Sequence, residues 1–170
     1  PWDAAFSPDG RVLAVSDFTA NAAAIIDTAT GTVAAGVPLA AGGAGLAWSA
    51  DGKKLYAVEH AAGSVAEIEA GTWRVARRFK AGFNPLGIAV AGTSLLVTDD
   101  ARDMLLVIDA GSGEMRGTAD VLEEPFGVAA TADGKLAVVT NMLPRTPSTD
   151  PAASCAVSIV ELAEGLRRTD

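Results

Sequence analysis

Residues 1–17 read PWDAAFSPDGRVLAVSD, and residues 43–59 read GAGLAWSADGKKLYAVE. Placed one above the other, they agree in plan. A short apolar run leads into Ser-x-Asp-Gly, and a second apolar run ends in an acid. The plan returns at 125–141, PFGVAATADGKLAVVTN, and in shortened form from Pro85. Segments beginning at Pro1, Gly43, Pro85 and Pro125 are spaced by 42, 42 and 40 residues. Asp-Gly between alternating apolar runs is the strongest short-range signal of a β-hairpin.

Each segment continues alike. A third run ends in Ile26-Asp27, Ile68-Glu69, Ile108-Asp109 and Val160-Glu161, and turn glycines are expected at Gly31, Gly71, Gly113 and Gly165. A fourth run follows in the first three segments, and the last segment stops soon after its third strand. Four short strands per repeat of ~40 residues is the pattern of a β-propeller blade. The expected fold is therefore all-β, with about four four-stranded blades in repeats 1–42, 43–84, 85–124 and 125–170. Ala5, Ala47, Ala89 and Ala129 recur in the first strand, where neighbouring blades crowd. Leu46 and Trp48, and their equivalents, should fill the space between blades.

Composition narrows the function classes. The chain has 170 residues, is 49% hydrophobic and carries a net charge of −8. A disordered chain is excluded, and a nucleic-acid partner is disfavoured by the acidity. No apolar run approaches the ~18–20 residues of a membrane helix. One Cys and one His exclude a disulfide framework, a Cys/His zinc site and a CxxCH haem attachment. No cofactor is expected from these residues.

The repeats resemble the YVTN-type propeller family. The phrases that carry the likeness are Phe6-Ser7-Pro8-Asp9-Gly10, Ile25-Ile26-Asp27-Thr28-Ala29-Thr30-Gly31 and Val138-Val139-Thr140-Asn141. The wider superfamily includes WD-type, lactonase-type and quinoprotein-dehydrogenase propellers; the Gly-His and Trp-Asp marks of WD-type repeats are missing here. A complete four-bladed ring, or two copies pairing into one ring, is the alternative, but the resemblance implies a ring of seven blades. It makes this chain a fragment whose partners include the remaining blades of the same protein, with open apolar faces at both ends. It also implies a periplasmic or extracellular location.

Candidate site residues lie on the face formed by the loops between second and third strands and by the linkers between blades. That choice of face rests on fold analogy. The series Asp17, Glu59, Asp99 and Asn141 invites a metal. Blades packed ~10 Å apart cannot bring equivalent residues onto one ion with ~2.3–2.6 Å bonds, so each is read as capping its own loop. Trp2 stands at the blade entry, and Asp3 replaces the Gly45, Gly87 and Gly127 of the other repeats. His60, the single His, follows Glu59, and reads either as a general base or as a surface residue. From Asn141 to Glu161 is twenty residues, against ten in the other repeats. The excess is a Pro/Ser/Thr-rich insertion at about 142–154, in which Arg145 is suited to an anion. Trp2, Asp3, His60, Asn141 and Arg145 are thus the ligand-binding candidates.

The leading expectation is a non-catalytic repeat module that binds a protein or small ligand through its loop face, because no convergent catalytic set is visible. A lactonase-like hydrolase is the alternative, as is the propeller part of a periplasmic redox protein associated with a cytochrome or quinoprotein.

Overall fold

The computed structural model describes residues 1–142, 156–162 and 166–169. The chain forms four antiparallel four-stranded sheets, each built from strands consecutive in sequence. The first sheet holds β1 (Ala4–Phe6), β2 (Val12–Asp17), β3 (Ala22–Asp27) and β4 (Thr32–Pro38). The second holds β5 (Gly43–Trp48), β6 (Lys54–Glu59), β7 (Ser64–Glu69) and β8 (Arg74–Lys80). The third holds β9 (Pro85–Ala91), β10 (Ser94–Asp99), β11 (Met104–Asp109) and β12 (Met115–Asp120). The fourth holds β13 (Pro125–Ala130), β14 (Leu136–Asn141), β15 (Val157–Glu161) and β16 (Arg167–Arg168). These are propeller blades. The last blade has a fourth strand that its sequence does not announce: Arg167 and Arg168 pair with Glu161 and Val160.

The hairpins form where the Asp-Gly turns are, and the mechanism repeats. Ser7 Oγ and the Arg11 N–H both donate to Asp9 Oδ1, at 2.7 and 3.1 Å. Ser49 and Lys53 do the same to Asp51, and Thr131 and Lys135 to Asp133. The glycine that follows takes a left-handed backbone, with φ of 71, 68 and 68° at Gly10, Gly52 and Gly134. Only glycine adopts this freely. A register shift also recurs between the third and fourth strands of the first three sheets, at Ile25/Ile26, Glu67/Ile68 and Val107/Ile108.

The chain divides into two compact units, Pro1–Ala81 and Gly82–Asp170. In the first, Ala14, Ala23 and Ile25 of the first sheet pack with Leu46, Leu55 and Ile68 of the second, with Ala5 and Trp48 against them. Small Ala5 on one sheet faces large Leu46 and Trp48 on the next, as the first-strand pattern predicts. In the second unit, Leu96, Leu105 and Val107 pack with Ala137, Val139 and Val160. Each fully buried Leu or Ile contributes about 1.5–3 kcal/mol. Phe6 departs from the expectation that it fills a space between blades. It shares a sheet face with its register partner Leu13, away from the second sheet, and is 63% exposed. Leu136, Val138, Val157 and Ile159 are likewise exposed on the fourth sheet.

Candidate functional site

The polar residues that end the second strands, Asp17, Glu59, Asp99 and Asn141, do not all cap their own loops. Asp17 does, accepting the Ala20 N–H at 2.7 Å. The other three hold the linker by which the chain enters their blade. Glu59 Oε1 accepts the Ala40 N–H at 2.7 Å, and Ser64 Oγ donates to Oε2. Asp99 accepts the N–H groups of Phe83 and Asn84 at 3.0 and 3.1 Å. Asn141 Nδ2 donates to the Leu122 carbonyl, and Ser158 Oγ donates to Asn141 Oδ1 at 3.4 Å and accepts the Leu122 N–H at 2.9 Å. The physical reason is burial. Glu59 and Asp99 have no exposed surface, and linker amides outside the strand ladders need acceptors. Each linker is also held by a left-handed residue of the preceding loop: Leu39 donates to the Asn21 carbonyl, Ala81 to Gly63 and Val121 to Asp103.

Asp3 has a structural duty as well. Its Oδ1 accepts the Ala4 N–H and its Oδ2 accepts the Leu46 N–H of the next sheet, both at 2.8 Å. Its own N–H donates to Ser16 Oγ. Where the third repeat has Gly87, a threonine bridges instead: Thr98 Oγ1 accepts the Gly87 N–H and donates to the Phe126 carbonyl. Both carboxylate oxygens of Asp3 are thus committed to the backbone. Glu67, 5% exposed, is committed to Arg77 and Lys54, and burial pushes the neighbouring Tyr56 phenol up.

Trp2 and His60 are brought into one row by a residue the sequence reading passed over. The Phe18 ring lies 5.1 Å from Trp2 and 5.5 Å from His60, centroid to centroid. The row is fixed from below. The His60 N–H donates to the Gly42 carbonyl and the Gly42 N–H to Asn21 Oδ1. Gly42 passes so close that a Cβ there would sit 3.3 Å from both Phe18 and His60. Trp2 is 43% exposed, so the row opens to solvent. The second unit carries its own aromatic on the corresponding loop face of the third blade. Phe83 is 60% exposed, with the Arg102 guanidinium 3.9 Å above its ring. Asn141 lies in this second unit, and Arg145, with most of the 142–154 insertion, lies outside the described residues. Among the described residues no three His, Cys, Asp or Glu side chains gather as a metal ion would require.

The opposite ends of the blades hold a cleft that sequence reasoning also missed. It has a volume of about 350 Å³ and is lined by Ser7, Asp9, Trp48, Asp51 and Trp73. Trp73 is not where a tryptophan is expected. Its N–H donates to the Glu69 carbonyl as Gly31 does to Asp27 and Gly113 to Asp109. Its φ is 56°, beside 69° and 80° at those glycines. The turn glycine of the second blade is therefore not the equivalent of Gly31; Trp73 is, and Gly71 stands two residues earlier. Counting four residues on from Asp27, Glu69 and Asp109 exposes the substitution.

No protein-family model matches the chain, and no curated protein matches it. Solved structures do, in 1111 chains, so the fold is a common one. One of them, a chain of hydrazine synthase from Kuenenia stuttgartiensis, superposes with a TM-score of 0.85 at 22% identity. The match covers 99% of this chain and 49% of that one, so this chain spans about half the length of its structural relative. At that identity the likeness establishes the propeller fold and nothing about chemistry.

Proposed function

We propose that this propeller is a non-catalytic binding module whose loop face recognises a partner through exposed aromatic side chains. The observation that supports it is the Trp2–Phe18–His60 row, held by backbone bonds and open to solvent, beside acids that are already spent. Asp3, one of the groups a hydrolase would need, and Glu59, which precedes His60, accept backbone N–H groups instead. A rigid aromatic surface gives contact area at little entropic cost. The repeat phrases support assignment to the YVTN type, and with it an extracytoplasmic location and further blades in the parent protein.

The test is an NMR titration of the chain with aromatic and saccharide fragments. Perturbed amides should cluster around Trp2, Phe18 and His60, and Phe18→Ala should remove the response. Hydrolysis of lactones by the chain, abolished by Asp3→Ala in a folded variant, would replace this reading with the hydrolase one.

A further inference from the structure

We propose that the cleft between the first two sheets, on the side of the Asp-Gly turns, is a binding site for a small organic ammonium cation. It is separate from the loop face and independent of the function proposed there.

The walls are aromatic. The indoles of Trp48 and Trp73 meet edge to face, 6.2 Å apart at 88°. Trp48 is fixed by a 3.1 Å bond from its Nε1–H to the Ala5 carbonyl. Trp73 is fixed by its turn, in a left-handed conformation that costs a non-glycine residue about 1–2 kcal/mol. The same turn is made by glycine in the first and third blades, so the turn itself does not require the tryptophan. What the tryptophan adds is a ring in the wall of the cleft. Strain of this kind, held in place by its surroundings, is characteristic of ligand sites.

The rim is anionic. Asp9 and Asp51 line the cleft, one from each sheet. In both, Oδ1 is used by the turn. Oδ2 meets the side chain of Arg11 or Lys53 only at 3.9 or 3.7 Å, and those side chains are 86% and 80% exposed. Such loose exposed pairs are worth little, and a ligand cation can take their place. Hydrogen bonds from Ser7 and from Ser49 hold the two carboxyls below the usual carboxylate range, so both are anions at neutral pH.

Ring faces and fixed carboxylates together select a cation. Rings also select a weakly hydrated organic cation over Na⁺ or K⁺, whose hydration the apolar walls cannot replace. The cleft falls within the ~300–1,000 Å³ of small-molecule sites. The chain's net charge of −8 raises the local concentration of cations.

The test uses the whole chain, titrated with choline and with its neutral isostere 3,3-dimethylbutan-1-ol, followed by tryptophan fluorescence and calorimetry. Choline should bind with an affinity that falls as salt rises, and the isostere should bind at least ~10-fold more weakly. Trp73→Gly, which keeps the turn, should abolish binding, and Trp73→Phe should keep part of it. The Asp9→Asn/Asp51→Asn pair should weaken binding ~10-fold or more. Trp2→Ala should leave it unchanged, which separates this cleft from the loop face. Equal binding of choline and the isostere would overturn the proposal by showing an apolar cleft without charge selection. Failure of choline to bind the folded chain would overturn it outright.

Discussion

The Nε of Arg78 donates to both carboxylate oxygens of Glu59, at 2.9 and 3.0 Å. Glu59 is fully buried and Arg78 is 42% exposed. The pair ties the outer strand of the second sheet to the linker that enters it, because Glu59 also holds the Ala40 N–H. Removing either partner has a different consequence. Glu59→Ala strands an amide and a hydroxyl, while Arg78→Ala leaves a carboxylate buried with only those neutral donors. Each should lower stability by about 3 kcal/mol, and the double variant should cost less than the sum. Urea unfolding of the four proteins measures this; a Glu59→Ala variant of unchanged stability would show that the linker does not depend on the clasp.

The turn carboxylates should make the fold sensitive to acid. The Ser7 hydroxyl holds Asp9 below its ordinary range, the Thr30 N–H does so for Asp27, the Ser112 N–H for Asp109 and the Thr131 hydroxyl for Asp133. In each the folded value lies below the ordinary 3.8. Their contribution is therefore complete above that value and is lost as pH falls through the folded values. The melting temperature should be level from about pH 7 to 5 and drop below about pH 4. Asp27→Asn should make the drop shallower. A melting temperature that rises on acidification to pH ~3 would contradict the turn assignment.

Two glycines should respond oppositely to a methyl group. A Cβ on Gly87 would lie 2.4 Å from the Phe126 carbonyl oxygen and 3.1 Å from Gly127 Cα, both backbone atoms. Gly87→Ala should therefore cost about 1–3 kcal/mol or more. Gly36, in β4, has nothing within 4 Å of such a Cβ. Gly36→Ala should stabilise by about 0.4–1 kcal/mol, by restricting the unfolded chain. Thermal melts of the two variants decide, and equal signs would argue against the tight approach of β9 to β13.

The outward face of the fourth sheet should make the isolated chain self-associate. Val138 and Ile159 are register partners, 38% and 36% exposed, with Leu136 and Val157 beside them. An apolar sheet face left exposed among the described residues is a contact surface. Val138→Thr/Ile159→Thr should reduce the mass measured by light scattering at high concentration. A wild-type chain that stays monomeric over the same range would show that the face is not adhesive.

What was legible in the sequence was what is local. Asp9-Gly10, Asp51-Gly52 and Asp133-Gly134 specify hairpins through bonds spanning a few residues, and period-2 runs specify strands. These three hairpins and the shorter turn at Gly92 between β9 and β10, one per blade, are enough for the blade fold. What was hidden is long-range or displaced. Glu59 reaches Ala40 across 19 residues and Asp3 reaches Leu46 across 43, distances that no turn pattern encodes. Phe18 reads as a loop residue until the linker at Gly42 brings His60 beside it. Arg167 and Arg168 form a strand too short to show a period. Gly71 resembles the turn glycines of the other blades in sequence, but the hydrogen bond to the Glu69 carbonyl falls two residues later, at Trp73.

Trp73 offers a separation of strain from packing. Trp73→Ala and Trp73→Gly both delete the indole, and with it the edge-to-face contact with Trp48. They differ in the backbone, since alanine keeps the cost of the left-handed turn and glycine removes it. Trp73→Gly should therefore be more stable than Trp73→Ala by about 1 kcal/mol, although both should fall below the wild type through lost burial. Chemical denaturation of the three proteins reads the difference directly. Equal stability of the two variants would mean that the turn relaxes out of the left-handed region once the indole is gone, so that the ring holds the turn rather than the turn holding the ring.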